Sequence, residues 1–160
     1  MTFLDVGANE GIYCIVAARR AGPSGTVWAF EPSERELGRL RRNRECNSLD
    51  FRIFPVGLSD SEGRAELIVA EDSHAGLNTL GTIPYKGVVI ARRESVQLVR
   101  LDDVVADYPL SRIDLVKIDV EGAELRVLRG AMETLRHYRP FMLFEVLAPP
   151  WKPRAHHRKS

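Results

Sequence analysis

Thr2-Phe3-Leu4-Asp5-Val6-Gly7-Ala8-Asn9-Glu10-Gly11 decides how this chain is read. Thr2 to Val6 is a short apolar run, it ends in a loop bounded by Gly7 and Gly11, and Ile12 to Ala21 has helical character. The unit is strand, glycine loop, helix. Gly22-Pro23-Ser24-Gly25 then turns the chain into the β-rich run Thr26 to Phe30, which stops at Glu31-Pro32. Ser33 and Glu36 form an S-x-x-E capping box that opens a helix running to about Asn43. Phe51 to Val56 reads as a third strand, followed by Gly57. Strands alternating with helices imply a parallel sheet, because parallel neighbours need a crossover between them.

From Asp60 to Arg100 the rhythm changes. Ala65 to Ala70 and Val96 to Leu101 read as strands of an antiparallel excursion, joined by a long loop from Glu71 to Ser95 with no clear period. Leu101 to Tyr108 reads as a short helix capped by Asp102 and stopped by Pro109. The parallel pattern resumes at the strand Ile113 to Val120. A helix is expected over Glu121 to Tyr138, with Leu125, Leu128, Met132 and Leu135 on its buried face. Phe141 to Val146 is nearly all apolar, as in a sheet covered on both sides. Five parallel strands result.

With 160 residues, 44% of them hydrophobic and 28% charged, the chain has the size of one domain and the apolar material for a core. The domain is expected over residues 1–148, with a basic tail over 149–160. No apolar run reaches the roughly 18 residues that span a bilayer. Asp5 and Glu10 interrupt the place where a secretory signal would lie, so the cytoplasm is the expected compartment. Cys14 and Cys46 stand apart without C-x-x-C or His spacing, and no disulfide framework or metal site is expected. The last ten residues hold four of the 23 basic side chains and none of the 22 acidic ones, which leaves the body mildly acidic. A nucleic-acid partner is not expected from that distribution.

In an open α/β sheet, ligands bind at the carboxyl ends of the strands near the point where strand order reverses. Acids fall at four of the five ends: Asp5, Glu31, Asp119 with Glu121, and Glu145. The loop Gly7-Ala8-Asn9-Glu10-Gly11 lacks the middle glycine of G-x-G-x-x-G, and no Gly-Lys-Ser/Thr follows, so neither a pyrophosphate cradle nor a P-loop is present. A nicotinamide-dependent oxidoreductase is disfavoured on the same ground. The loop suits a nucleoside without phosphates. Glu31, 20 residues after Gly11, stands where an acid accepts hydrogen bonds from ribose hydroxyls. Asp5 favours a ligand that carries positive charge. S-adenosylmethionine, with a ribose, an ammonium and a sulfonium but no phosphate, meets these conditions.

The segments "FLDVGANEGIY", "FEPS", "VGLSDSEG", "LDDV", "DLVKIDVEGAELRVLRGA" and "RPFMLFEV" occur in the order and approximate spacing of FkbM-type methyltransferases. The chain resembles that family from about Phe3 to Val146. The resemblance implies an α/β, Rossmann-like doubly wound sheet, mainly parallel, with helices on both faces and an antiparallel hairpin excursion. It also implies O-methylation of a hydroxyl on a small molecule, sugar or glycan. By resemblance Asp5, Gly7, Asn9 and Gly11 line the methionine part, Glu31 holds the ribose, Gly57 and Leu58 lie beside the adenine, and Asp119 lies near the sulfonium.

For the acceptor, Glu121 is the first choice of contact, with Asp119 as rival and His74 as a weaker candidate base. Plainer roles stand beside these. Glu121 and Glu124 equally suit the dipole of a helix N-terminus. Glu145 reads as structural or substrate-side, and His156 and His157 as tail residues. Class I methyltransferases usually continue into a C-terminal strand pair, which is expected to be lacking here. The edge at Phe141 to Val146 is then open to a second copy of the chain. A truncated or inactive cofactor-binding module is the alternative reading.

Overall fold

The computed structural model of the chain describes residues 1–71, 78–80 and 89–144. His74, Glu145, His156, His157, the basic tail and most of the long loop lie outside the described residues. The described elements are β1 (Thr2–Val6), α1 (Ile12–Ala21), β2 (Thr26–Phe30), α2 (Glu34–Cys46), β3 (Arg52–Phe54) and β4 (Gly57–Leu58). They continue with β5 (Gly63–Ala70), β6 (Ile90–Val99), α3 (Leu101–Asp107), β7 (Leu115–Ile118), α4 (Glu124–Arg129), α5 (Met132–Tyr138) and β8 (Phe141–Phe144).

Five strands form a parallel sheet in the order β3-β2-β1-β7-β8. The chain begins at the centre, steps outward to β3, then crosses back to β7, so strand order reverses between β1 and β7. That reversal opens a crevice at the carboxyl ends of the two strands. A second sheet, β4-β6-β5, carries the antiparallel β5–β6 hairpin.

Side chains alternate faces along a strand, and here each face is apolar for its own reason. Leu4 and Val6 join Trp28, Phe30, Val116 and Ile118 in one core, covered by α3 through Leu101 and Val104 and by α4 through Val127. Phe3 joins Val27 and Ala29 in the other, covered by Cys14 and Ala17 of α1 and Leu37 and Leu40 of α2. The central strands are thus covered on both faces, as their apolar runs require, whereas β8, expected to be covered on both sides, leaves Phe141, Leu143 and Phe144 82%, 51% and 46% exposed. Among the described residues, no helix is long and apolar enough to cross a membrane.

Four local expectations are corrected. The single helix over Glu121 to Tyr138 is two helices, α4 and α5, broken at Gly130. A Cβ on Gly130 would lie 1.9 Å from the Ser59 carbonyl oxygen, so the backbone reaches β4 only where there is no side chain. Of the expected buried face, Leu128 and Leu135 pack against the core beside the buried Val127, Ala131 and Thr134, while Leu125 is 60% and Met132 39% exposed. Secondly, Ser33 precedes α2, but no capping box forms. Its hydroxyl is buried without a partner among the described residues, and Glu36 pairs with Arg35 (2.7 Å) and Arg39 (3.1 Å).

Thirdly, Asp102 lies inside α3 and caps another helix. Its carboxylate accepts from the Thr134 (2.8 Å) and Glu133 (3.2 Å) amides at the start of α5. Fourthly, β6 begins at Ile90, well inside the stretch expected as loop, because its pairing with β5 extends to Ala70. β8 is the last strand of the sheet order, and Phe141 on it is 82% exposed.

Candidate functional site

The crevice is built from the loop after β1. Gly7 has φ +76°, and a Cβ there would lie 1.9 Å from the Asp119 carbonyl oxygen. Both features require glycine, and together they bring the β1 loop against the end of β7. The amides of Gly7 and Ala8 both donate to the Phe30 carbonyl (3.0 Å each), which locks the loop to the end of β2.

Glu31 sits at that end, 6% exposed. Its Oε2 accepts from the Asn9 amide and its Oε1 from the Ser33 amide, both at 2.8 Å. The carboxylate is therefore oriented from two sides, and each oxygen retains a second lone pair for a ligand. Burial pushes its pKa up to about 7, against the pull of the two amides, which favour the charged form.

On the β7 side, Lys117 is buried although it carries a charge. It stands directly opposite Asp5 in the β1–β7 register. Its ammonium lies 3.1 Å from the Gly7 carbonyl, 3.2 Å from Asp5 Oδ1 and 3.5 Å from Asp119 Oδ2. Asp5 Oδ1 faces the ammonium without a well-aligned hydrogen bond, while Oδ2 accepts from the Cys14 thiol (3.2 Å). Burial raises the Asp5 pKa and Lys117 opposes that rise. Burial, with Asp5 beside it, raises the Cys14 thiol as well. One ammonium thus ties together the floor, the glycine loop and the end of β7.

These parts surround a cavity of about 350 Å³. Phe30, Val56, Leu58, Leu67 and Leu80 make an apolar wall, and Asn9, Glu31, Lys117, Asp119 and Glu121 supply the polar groups. That mixture is typical of a site for a small organic ligand. Of the residues singled out from the sequence, Gly7, Asn9, Glu31, Gly57, Leu58, Asp119 and Glu121 line this one cavity.

Asp5 and Gly11 do not line it. Asp5 is fully buried beneath, on the α1 face of β1, and Gly11 lies at the start of α1 against Leu40. Asp5 touches the cavity lining through Lys117, and Cys14 packs beneath it. Glu124 turns back into its own loop: Oε1 accepts from the Gly122 (3.0 Å) and Val120 (3.4 Å) amides.

Sequence reading missed Lys117, Tyr13, Asn78 and Leu80, which also line the cavity. A lysine inside the apolar strand Leu115-Val116-Lys117-Ile118 was the available signal for the first. Nothing local marked the other three.

Comparison with known proteins gives the family. The model of the methyltransferase FkbM domain matches residues 5–158. The chain is 36% identical over 146 residues to the 2-O-methyltransferase NoeI of Sinorhizobium fredii, covering 82% of this chain and 58% of that protein. It is 31% identical over 150 residues to the 31-O-demethyl-FK506 methyltransferase FkbM of Streptomyces tacrolimicus, covering 79% and 57%. It is 28% identical over 144 residues to the hexuronic acid methyltransferase AglP of Haloferax volcanii, covering 90% and 55%. The chain thus spans little more than half the length of these relatives. No solved structure gives a significant match. A doubly covered parallel sheet, a glycine loop without a pyrophosphate cradle and a match across nearly the whole chain lead to one assignment: the chain belongs to the FkbM-domain methyltransferases.

Proposed function

We propose that this chain transfers the methyl group of S-adenosylmethionine to a hydroxyl of a small molecule or saccharide. The observation that carries the reading is Glu31: a buried carboxylate, fixed by two backbone amides, facing a cavity whose glycine loop has no place for a pyrophosphate. The residues suit that nucleoside. Glu31 accepts from the ribose hydroxyls, Phe30, Val56 and Leu58 flank the adenine, and Asn9, Asp119 and the Gly7 loop take the amino-acid end. The three relatives, named as methyltransferases, two with O-positions in their names, support the reaction class.

When bound, the cofactor supplies a methyl group on a sulfonium, already activated toward a nucleophile. The chain's own work is alignment and proton removal. Glu121 lines the cavity beyond the end of β7 and takes the proton from the acceptor hydroxyl. Asp119 is engaged by Lys117 at 3.5 Å, which suits it to holding the crevice together more than to accepting a proton. Tyr13, half exposed on the first turn of α1, offers an aromatic face to the acceptor.

Calorimetric titration of the full chain with S-adenosylmethionine, S-adenosylhomocysteine and NAD tests this. Saturable binding of the first two alone is expected. Preference for NAD, or no binding by a chain shown to be folded, overturns the reading.

A further inference from the structure

Beyond the end of β7 the chain does something costly. Glu121 has φ +51° and Gly122 has φ +99°, two left-handed residues in succession, the first with a full side chain. This conformation turns Glu121 to the cavity it lines. It persists only where the surroundings hold it. From within the loop, Glu124 Oε1 accepts from the Val120 and Gly122 amides and so fixes the peptide that follows Glu121 and the one that precedes Val120. From across the crevice comes a third contact: the Thr79 hydroxyl donates to the Glu121 carbonyl at 2.9 Å.

Thr79 is well suited to that task. It is 2% exposed, and its backbone makes a two-way bridge with Ile68 of β5, N–H to carbonyl at 3.1 Å and carbonyl to N–H at 2.9 Å. Its neighbour Asn78 accepts from the Ala70 amide through Oδ1 (3.1 Å). The hydroxyl is therefore presented from a backbone paired to the edge strand β5. Asn78 and Leu80, on either side of it, line the cavity. The second sheet thus reaches both the cavity wall and the loop that presents Glu121.

We propose that Thr79 is a positioning residue: its hydroxyl holds the Glu121 peptide in the left-handed conformation and so sets the acceptor side of the site from the second sheet. The proposal rests on the reading of Glu121 as the acceptor-facing group. The bracing itself is testable apart from that reading.

Thr79→Val keeps the shape and removes the donor, and Thr79→Ser keeps the donor. In the full chain, the Val120 and Gly122 amides of T79V exchange with deuterium about tenfold faster under native conditions, the scale of one lost hydrogen bond. T79S returns the exchange to the parent values, and T79V binds S-adenosylmethionine within about twofold of the parent, since Thr79 does not itself line the cavity. In a Glu121→Gly background, where left-handed φ carries little strain, T79V changes Gly122 exchange much less.

Unchanged exchange in T79V, or failure of T79S to restore it, overturns the proposal. Should T79V not fold, Thr79→Ala, which also removes the donor, is compared with the parent by the same exchange rates, and unchanged exchange in T79A overturns the proposal. Failure of the parent to bind S-adenosylmethionine removes the functional reading and leaves the exchange result to judge the brace.

Discussion

The two loops that face each other across the crevice are held in opposite ways. The loop after β1 is fixed by its immediate sheet neighbour: Gly7 and Ala8 bond Phe30, and Asn9 bonds Glu31. The loop after β7 is fixed by its own Glu124 and by Thr79 from a different sheet. Cofactor recognition in this reading therefore belongs to a compact motif, and acceptor recognition to a looser assembly.

The largest effect should come from the β1 side. Gly7→Val drives a side chain into the Asp119 carbonyl, and S-adenosylmethionine affinity is expected to fall about a hundredfold or more, roughly 3 kcal/mol, in calorimetry. The melting temperature falls with it. A tolerated valine would break the comparison outright. On the β7 side, Glu121→Gln should lower turnover by about a hundredfold with cofactor affinity unchanged, measured against the acceptor found by screening. Equal turnover returns Glu121 to a structural role.

Glu31→Gln sharpens the comparison through pH. The folded chain keeps a proton on Glu31 up to about pH 7 that the unfolded chain releases near 4.5, so folding stability falls as pH rises through that window and levels off above it. The ionised carboxylate that accepts the ribose hydroxyls forms over the upper part of the same range, so cofactor affinity rises with pH through about 7. The two trends run in opposite directions in the parent, and Glu31→Gln should flatten both while lowering affinity at pH 8 by about tenfold. Melting curves and titrations at pH 6 and 8 check this. Parallel trends would show that Glu31 does not control the site.

Glu124→Ala gives the smallest effect, about 1 kcal/mol of stability as two loop amides turn to water, with cofactor affinity retained. A large loss of cofactor affinity would show that the two loops are not independent.

The same contrast governs what the sequence could tell. Gly7, Asn9 and Glu31 belong to short motifs whose meaning depends on a strand, a turn and the next strand, and five parallel strands followed from apolar runs alone. Lys117 was passed over because its partner Asp5 becomes its neighbour only once β1 lies beside β7. Thr79 carries no local signal, since its role depends on a bond 42 residues along the chain. Asp102 looked like the cap of its own helix, and tertiary packing gave its carboxylate to α5. Gly130 looked like an ordinary helix interior until the Ser59 carbonyl came within reach of its absent Cβ. Local rules predicted the elements, and the errors fall where a distant partner outbids a near one.

The pairing of β1 with β7 also sets an order of events. Gly7 and Lys117 meet across 110 residues, whereas the β5–β6 hairpin and the β1–β2 crossover close over much shorter spans. Folding can build the second sheet and the outer strands first and seat β7 late. The cavity exists only after that final step, so a chain stalled midway presents Glu31 and the glycine loop with no opposite wall, and a ligand that spans the crevice acts as a clasp on the finished fold.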